Sequence, residues 1–215
     1  MNEIVAQTRC FVKKELEQVE SGHDWFHVER VWKMAKNIAE KEEVNALVVE
    51  LAALLHDIAD SKFNGGDEEM GPRKAFLFLK SINIDDNVAY HVSNIIKYMS
   101  FKSQFGEIAF SSMEMKVVQD ADRLDAMGAI GIARTFNYGG FKNRAIYNPD
   151  IKPNLNQSKD EYKNSTAPTI NHFYEKLLLL KDKMNTETGK RIAEERHYFM
   201  VNFLQQFYEE WEGKK

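Results

Sequence analysis

The stretch Asn45-Ala46-Leu47-Val48-Val49-Glu50-Leu51-Ala52-Ala53-Leu54-Leu55-His56-Asp57 decides the fold. Between Ala46 and Leu55 only Glu50 is polar, and a helix that is hydrophobic nearly all round belongs at the centre of a bundle, covered on every side by other helices. Its expected span is Asn45 to about Ala59. The flanking sequence supplies the covering stripes. Ile4, Val5, Thr8, Phe11, Val12, Leu16 and Val19 recur at helical spacing until Ser21-Gly22 breaks the run, and Val28, Val31, Ala35, Ile38 and Ala39 do the same behind Asp24, an N-cap residue type.

Farther along, Pro72 sits where a helix can start, with Phe76 and Leu79 on its stripe, and Ile84 to Met99 repeat the pattern through Val88, Val92 and Ile95. Ser111 and Glu114 have capping-box spacing ahead of one long amphipathic run through Val117, Val118, Ala121, Leu124 and Ile132, ending near Asn137. Tyr138 to Ala167 shows no clear period and is rich in Gly, Asn, Pro, Lys and Tyr. A connection of that length in a compact domain is commonly a lid or binding loop, and that is the expectation for 138–167. Two closing helices, Pro168 to Asn185 and Thr188 to Trp211, complete the chain within 168–212. Without internal repeat or linker, an all-α fold in a single domain spanning 1–215 is predicted.

Composition narrows the function classes. With 215 residues, 43% hydrophobic and 29% charged, the chain is an ordinary globular sequence. A net charge of -4 argues against a stable nucleic-acid complex, for which backbone neutralisation is the main driving force. Cys10 is the single cysteine, so neither an intrachain disulfide nor a Cys-rich zinc site can form. The apolar run Leu177 to Leu180 is far too short to span a bilayer, and Met1 to Arg9 has no apolar signal core. A soluble cytoplasmic protein, free of the membrane and compatible with a homodimer, is expected.

The chemistry shows as polar residues that interrupt apolar stripes. His27 lies one turn before Val31, His56 and Asp57 end the most apolar helix, and Asp122 neighbours Val118 and Ala121, with Asp120 and Asp125 close by. An unpartnered buried carboxylate is too costly to expect. Singly, an inward histidine is more often a hydrogen-bonded core residue, and three aspartates in one run can be a solvated face. Three helices broken in the same way point instead to one divalent metal ion, Mn, Fe, Mg, Zn, Co or Ni, held by two imidazoles and carboxylates with open positions for water and substrate.

Ser21-Gly22-His23-Asp24-Trp25-Phe26-His27, Leu54-Leu55-His56-Asp57-Ile58 and Asp120-Ala121-Asp122-Arg123-Leu124-Asp125 resemble the HD-domain superfamily of metal-dependent phosphohydrolases, in particular a small bacterial branch with a run like Asn171-His172-Phe173-Tyr174-Glu175-Lys176-Leu177. The resemblance implies a single HD domain with His27, His56, Asp57 and Asp122 as metal ligands, and it leaves His23 to shape a loop and Asp120 to a supporting or surface role. It places Asp60 where related enzymes carry a catalytic acid or lysine, and Asp125 one turn beyond the last ligand, able to orient a ligand or a water. His91 matches an extra histidine of dinuclear branches. One such residue falls short of a second site, so a mononuclear centre is expected, with His172 and His197 packing or capping.

A small phosphorylated substrate, by resemblance a nucleotide, needs cations. Lys62, Lys97, Lys102, Arg123, Lys142 and Arg144 are the candidates, and Tyr138, Phe141 and Tyr147 could stack on a base. The expected activity is hydrolysis of a nucleotide phosphoester or phosphoanhydride, as monophosphate or pyrophosphate release. The alternative is a regulatory module that binds metal and nucleotide without cleavage. A dinuclear iron oxygenase requires more histidines than His91 supplies.

Overall fold

The computed structural model describes residues 3–17, 24–59, 69–99, 110–158, 161 and 164–215. Among these residues every regular element is helical, as the periodicity predicts. The chain divides into two compact units, Met1–Asp122 and Arg123–Lys215, and each has its own internal logic.

In the first unit, α1 (Glu3–Glu15), α2 (Trp25–Ala39), α3 (Ala46–Leu55), α4 (Met70–Ser81), α5 (Asp86–Tyr98) and most of α6 (Met113–Asp125) follow one another. The apolar helix α3 is the centre, touching α1, α2 and α5. Val49, Leu51, Ala52, Ala53, Leu54 and Leu55 are completely buried, and each large side chain among them contributes about 1.5–3 kcal/mol relative to exposure. The one polar interruption of α3 is met at once: Trp32 donates its indole N–H to Glu50 Oε2 at 2.9 Å. Asn45 caps the helix by accepting from the N–H groups of Leu47 and Val48.

The helix stops at Leu55, earlier than its sequence suggests. Ile58 donates its N–H to the Leu55 carbonyl in a tight turn, and His56 is the C-cap residue. Asp24 caps α2 as predicted, accepting from His27 N–H at 2.9 Å. At α6 the cap is Ser112, whose Oγ accepts from Met115 N–H. This corrects the capping box at Ser111, because Glu114 turns elsewhere and accepts from Asn45 N–H.

The long amphipathic run is two helices. After α6 the chain turns through Ala126 and Met127, and α7 (Gly128–Phe141) begins at Gly128 with φ +68°. Apolar spacing continues across the joint and hides it. The positive φ favours glycine, and a Cβ there would stand 3.0 Å from Arg196 Cγ. Arg196 in turn donates to the Leu124 carbonyl.

The rest of the second unit comprises α7, a short α8 (Asn171–Glu175), a 3-10 stretch (Leu177–Lys183) and α9 (Glu187–Trp211), capped by Thr186. The predicted helix Pro168 to Asn185 is therefore interrupted, at Lys176, whose backbone leaves the helical region (φ -145°, ψ -57°). The rings of Phe136, Phe203 and Phe207 cluster with Phe173, which is completely buried with Ile170 and Met200. Between α7 and α8 the described chain is tied down rather than loose: Thr169 and Ile170 donate their N–H groups to the carbonyls of Ala145 and Ile146. Among the described residues no helix is long and apolar enough to cross a membrane.

Gly139 and Gly140 lie side by side in α7 with opposite requirements. A Cβ on Gly139 would meet Thr169 Oγ1 at 2.2 Å, while one on Gly140 would meet nothing. Gly139→Ala is expected to destabilise the protein by about 1–3 kcal/mol and Gly140→Ala to stabilise it by about 0.5–1 kcal/mol. Urea unfolding of the two variants reads the opposite signs, and equal shifts would refute the close approach at Thr169.

Candidate metal centre

Two helix ends build the site. α2 delivers His27 in its first turn, where the Asp24 cap holds the His27 backbone, and the C-terminal end of α3 delivers His56 and Asp57. His27 is almost wholly buried, at 2% exposure. One ligand atom from each of His27, His56 and Asp57 lies within 4.8 Å of the others. His27 Nε2 is 3.7 Å from Asp57 Oδ2 and 3.5 Å from Asp122 Oδ1, and His56 Nε2 is 3.9 Å from Asp57 Oδ2. These spacings are long for hydrogen bonds, yet they are what ligands sharing one ion at about 2.0–2.2 Å would show, since such atoms stand about 3–4 Å apart.

The imidazole of His56 is the most informative group. Its Nδ1 lies 2.8 Å from the Ala53 carbonyl, a pure acceptor, so Nδ1 carries the proton and donates it there. Nε2 is then the lone-pair nitrogen. It is buried, and among the described residues it has no hydrogen-bond partner. A buried lone pair beside a second imidazole and a carboxylate is costly unless a cation takes it. The carbonyls at the end of α3 add the negative end of the helix dipole. The residues present therefore fit a divalent ion.

Asp122 and Asp120 reverse the burial expected of them. Asp120 is completely buried, whereas the Asp122 side chain is 43% exposed and reaches the cluster at His27. The reason is register: Asp120 stands on one face of α6 with Val117 and Leu124, three residues before and four after it, both fully buried. Asp125 is also buried, and Arg134 Nη1 donates to both its carboxylate, at 2.5 Å, and its carbonyl.

His91 joins a different group. Its Nε2 lies 3.0 Å from Ser112 Oγ and 3.6 Å from Glu114 Oε2, and its ring edge meets Phe110. Burial pushes the Glu114 carboxyl up, but hydrogen bonds from the N–H groups of Asn45 and of Glu114 itself and from Ser112, with His91 nearby, outweigh it and leave the group below its ordinary value. The expected cations have definite partners: Lys97 pairs with Glu69 at 2.6 Å, Arg123 donates to the Lys183 carbonyl, Arg144 donates to the Ser165 carbonyl, and Lys142 lies over the rings of Tyr138 and Phe141. Tyr147 packs on Phe207, Tyr208 and Trp211. His172 is half-buried, and its pKa is lowered to about 4 by desolvation and then by Lys176 and Arg144. Asp60, Lys62, Lys102 and His23 lie outside the described residues.

Comparison with known proteins agrees with the geometry. Residues 25–127 match the HD domain family. The uncharacterized protein YpgQ of Bacillus subtilis is 40% identical over 202 residues, covering 93% of this chain and 90% of YpgQ. The chain belongs to the HD-domain superfamily of hydrolases. A crystal structure of an HD-superfamily hydrolase from Bacillus thuringiensis superposes with a TM-score of 0.79 at 46% identity, covering 98% of this chain and 97% of that one. A crystal structure of YpgQ in complex with ADP gives a TM-score of 0.77 at 36% identity, with 97% and 95% covered.

The Glu114 carboxylate links pH to stability with a definite sign. Its folded pKa is below the ordinary 4.5, so its contribution is full above the unfolded value and is lost as pH falls through the folded one. The stability difference between the natural protein and Glu114→Gln is expected to be largest near about pH 5 and to shrink on acidification. Urea titrations across that range test it, and a constant difference would remove the carboxylate charge from the account.

Proposed function

We propose that this chain is a metal-dependent phosphohydrolase of nucleotides, cleaving a phosphoester or phosphoanhydride bond at a centre held by His27, His56, Asp57 and Asp122. The observation that carries the reading is the buried Nε2 of His56, which has no hydrogen-bond partner among the described residues and stands opposite a ring proton fixed on the Ala53 carbonyl, beside His27 and Asp57. The ADP complex of YpgQ, which is similar over nearly its whole length, supports a nucleotide as ligand.

Each residue has a part that follows from its position. His27 and His56 offer neutral nitrogen donors and Asp57 a negative oxygen, a hard and borderline set that suits Mn, Fe, Zn, Co, Ni or Mg. Asp122, on the more open side, adds a second carboxylate while leaving room for a phosphate oxygen. A divalent cation there would polarise the phosphoryl group and acidify a water at the site. Asp60, three residues after Asp57, is the candidate to give or take the proton at the leaving oxygen.

His56→Ala and Asp57→Ala are expected to lose bound metal and to lower kcat/KM by more than about 100-fold while the protein remains helical. Elemental analysis with circular dichroism measures the first. Hydrolysis of nucleoside mono-, di- and triphosphates, with separate detection of phosphate and pyrophosphate, measures the second. Full metal occupancy in both variants would overturn the ligand assignment, and metal with nucleotide bound but never cleaved would replace the hydrolase by a sensor.

Asp122 and Asp120 separate ligand from scaffold. Asp122→Ala is expected to weaken metal binding with a small change in stability, whereas Asp120→Ala, which empties a fully buried position, is expected to lower stability by about 1–3 kcal/mol. Chelator competition and thermal melting on the same pair give both readings. Equal metal loss in the two variants would remove Asp122 from the ligand set.

A further inference from the structure

The last turn of α6 carries Asp122 and is held by two arginines from farther along the chain. It runs from Asp122 to Asp125, the stretch whose carbonyls a helix leaves without partners inside itself. The carbonyls of Arg123 and Leu124 accept from the N–H groups of Ala126 and Met127. Arg196 Nη1 also donates to the Leu124 carbonyl, and Arg134 Nη1 donates to the Asp125 carbonyl at 3.3 Å while holding the Asp125 carboxylate. Leu124, Asp125, Arg134 and Arg196 all lie in the second unit, and Asp122 stands two residues before Leu124 in the same helix.

Satisfying carbonyls does not by itself require such an arrangement. Water pairs with an exposed helix end without help, whereas burial works against the Arg196 charge and lowers its pKa, with Asp125 and Glu195 opposing the shift. The arginine is fixed at its base as well as its tip, because a Cβ on Gly128 would stand 3.0 Å from its Cγ and 3.3 Å from its Cβ. The joint beside it is equally close: a Cβ on Gly131 would meet the Ala126 carbonyl oxygen at 2.2 Å, and Leu124 and Met127 are completely buried. What this turn has to hold is Asp122. Its side chain is 43% exposed and stands 3.5 Å from His27 Nε2, so its place depends on how the backbone is wound more than on packing around it. Terminal turns are the part of a helix that opens most readily, yet a metal ligand has to stay within about 0.5 Å of its working position.

We propose that Arg196 is a positioning residue for the metal centre: by closing the Leu124 carbonyl, with Arg134 closing that of Asp125, it keeps the last turn of α6 wound and holds Asp122 where it can share an ion with His27, His56 and Asp57. A cation suits the negative end of a helix, and the planar guanidinium fork fixes the direction of its hydrogen bond where an ammonium would not. Asp125 has the matching part, since its carboxylate anchors Arg134. The inference rests on the metal-centre reading and adds to it a residue that acts through the helix and not by contact with the ion.

A double-mutant cycle on metal affinity tests it. Cobalt(II) binding by chelator competition is measured for the full-length natural protein, Arg196→Met, Asp122→Asn and the double variant. Methionine keeps an aliphatic stem beside Gly128 and removes the donor. Arg196→Met is expected to weaken cobalt about tenfold in the natural background and to change it little where Asp122 is already replaced, because both act through one ligand. Hydrogen exchange of the metal-free protein reads the cause directly: the amides of 122–127 lose protection in Arg196→Met while those of α3 keep theirs. Unchanged cobalt affinity in Arg196→Met would overturn the proposal. So would equal weakening in both backgrounds, which leaves Arg196 a part of the general framework. If melting shows that Arg196→Met does not fold, Arg196→Lys, which retains charge and stem but loses the fixed fork, goes through the same cycle with the same criteria. Equal cobalt affinity in the natural protein and Asp122→Asn would remove Asp122 from the ligand set and this inference with it, a failure distinct from one at Arg196 alone.

Discussion

The hydrogen bond from His56 Nδ1 to the Ala53 carbonyl is the constraint on which the centre rests. It satisfies one of the carbonyls that every helix end leaves open, and it also selects the tautomer of the ring. A single contact thus ends α3, orients His56, and turns Nε2 towards His27 and Asp57. The bond is short and local, but it works only because Ala53 is held in place. That rigidity comes from α3, whose completely buried residues run from Val49 to Leu55 with Glu50 as the single break.

Both ends of α3 are under control from elsewhere. At its start, Asn45 caps the helix with its side chain and gives its own N–H to Glu114 on α6, where His91 on α5 lies close by. The helix that carries one end of the site is therefore fastened to two others at its opposite end, so the group around His91 serves the frame.

How much of this was legible in the sequence follows from the physics of each feature. The centrality of α3 was plain because burial on every side requires an apolar residue at nearly every position. His27 and His56-Asp57 stood out because a polar group in such a setting needs a reason. Asp120 carried the same signal, one turn from Leu124, and composition alone gave no way to weigh it against Asp122. The break before α7 left no mark in the hydrophobic period: it depends on a positive φ at Gly128 and on Arg196, far along the chain. The interruption at Lys176 was equally hidden, since Leu177 to Leu180 read as helix in any register. Partners such as Glu69 for Lys97 or the Lys183 carbonyl for Arg123 are tertiary facts that a charge in a sequence does not announce.

The shortness of α3 has an evolutionary consequence. Between the Asn45 cap and the His56 turn there are ten helical residues, Ala46 to Leu55, and each residue turns the helix by about 100°. Changes of side-chain volume along α3 alter packing while leaving the direction of His56 as it is. A single inserted or deleted residue would instead swing the histidine to another side of the bundle. The length of this segment is thus a stricter inheritance than its composition, and relatives that retain the centre should differ in which aliphatic residues fill α3 far more readily than in how many there are.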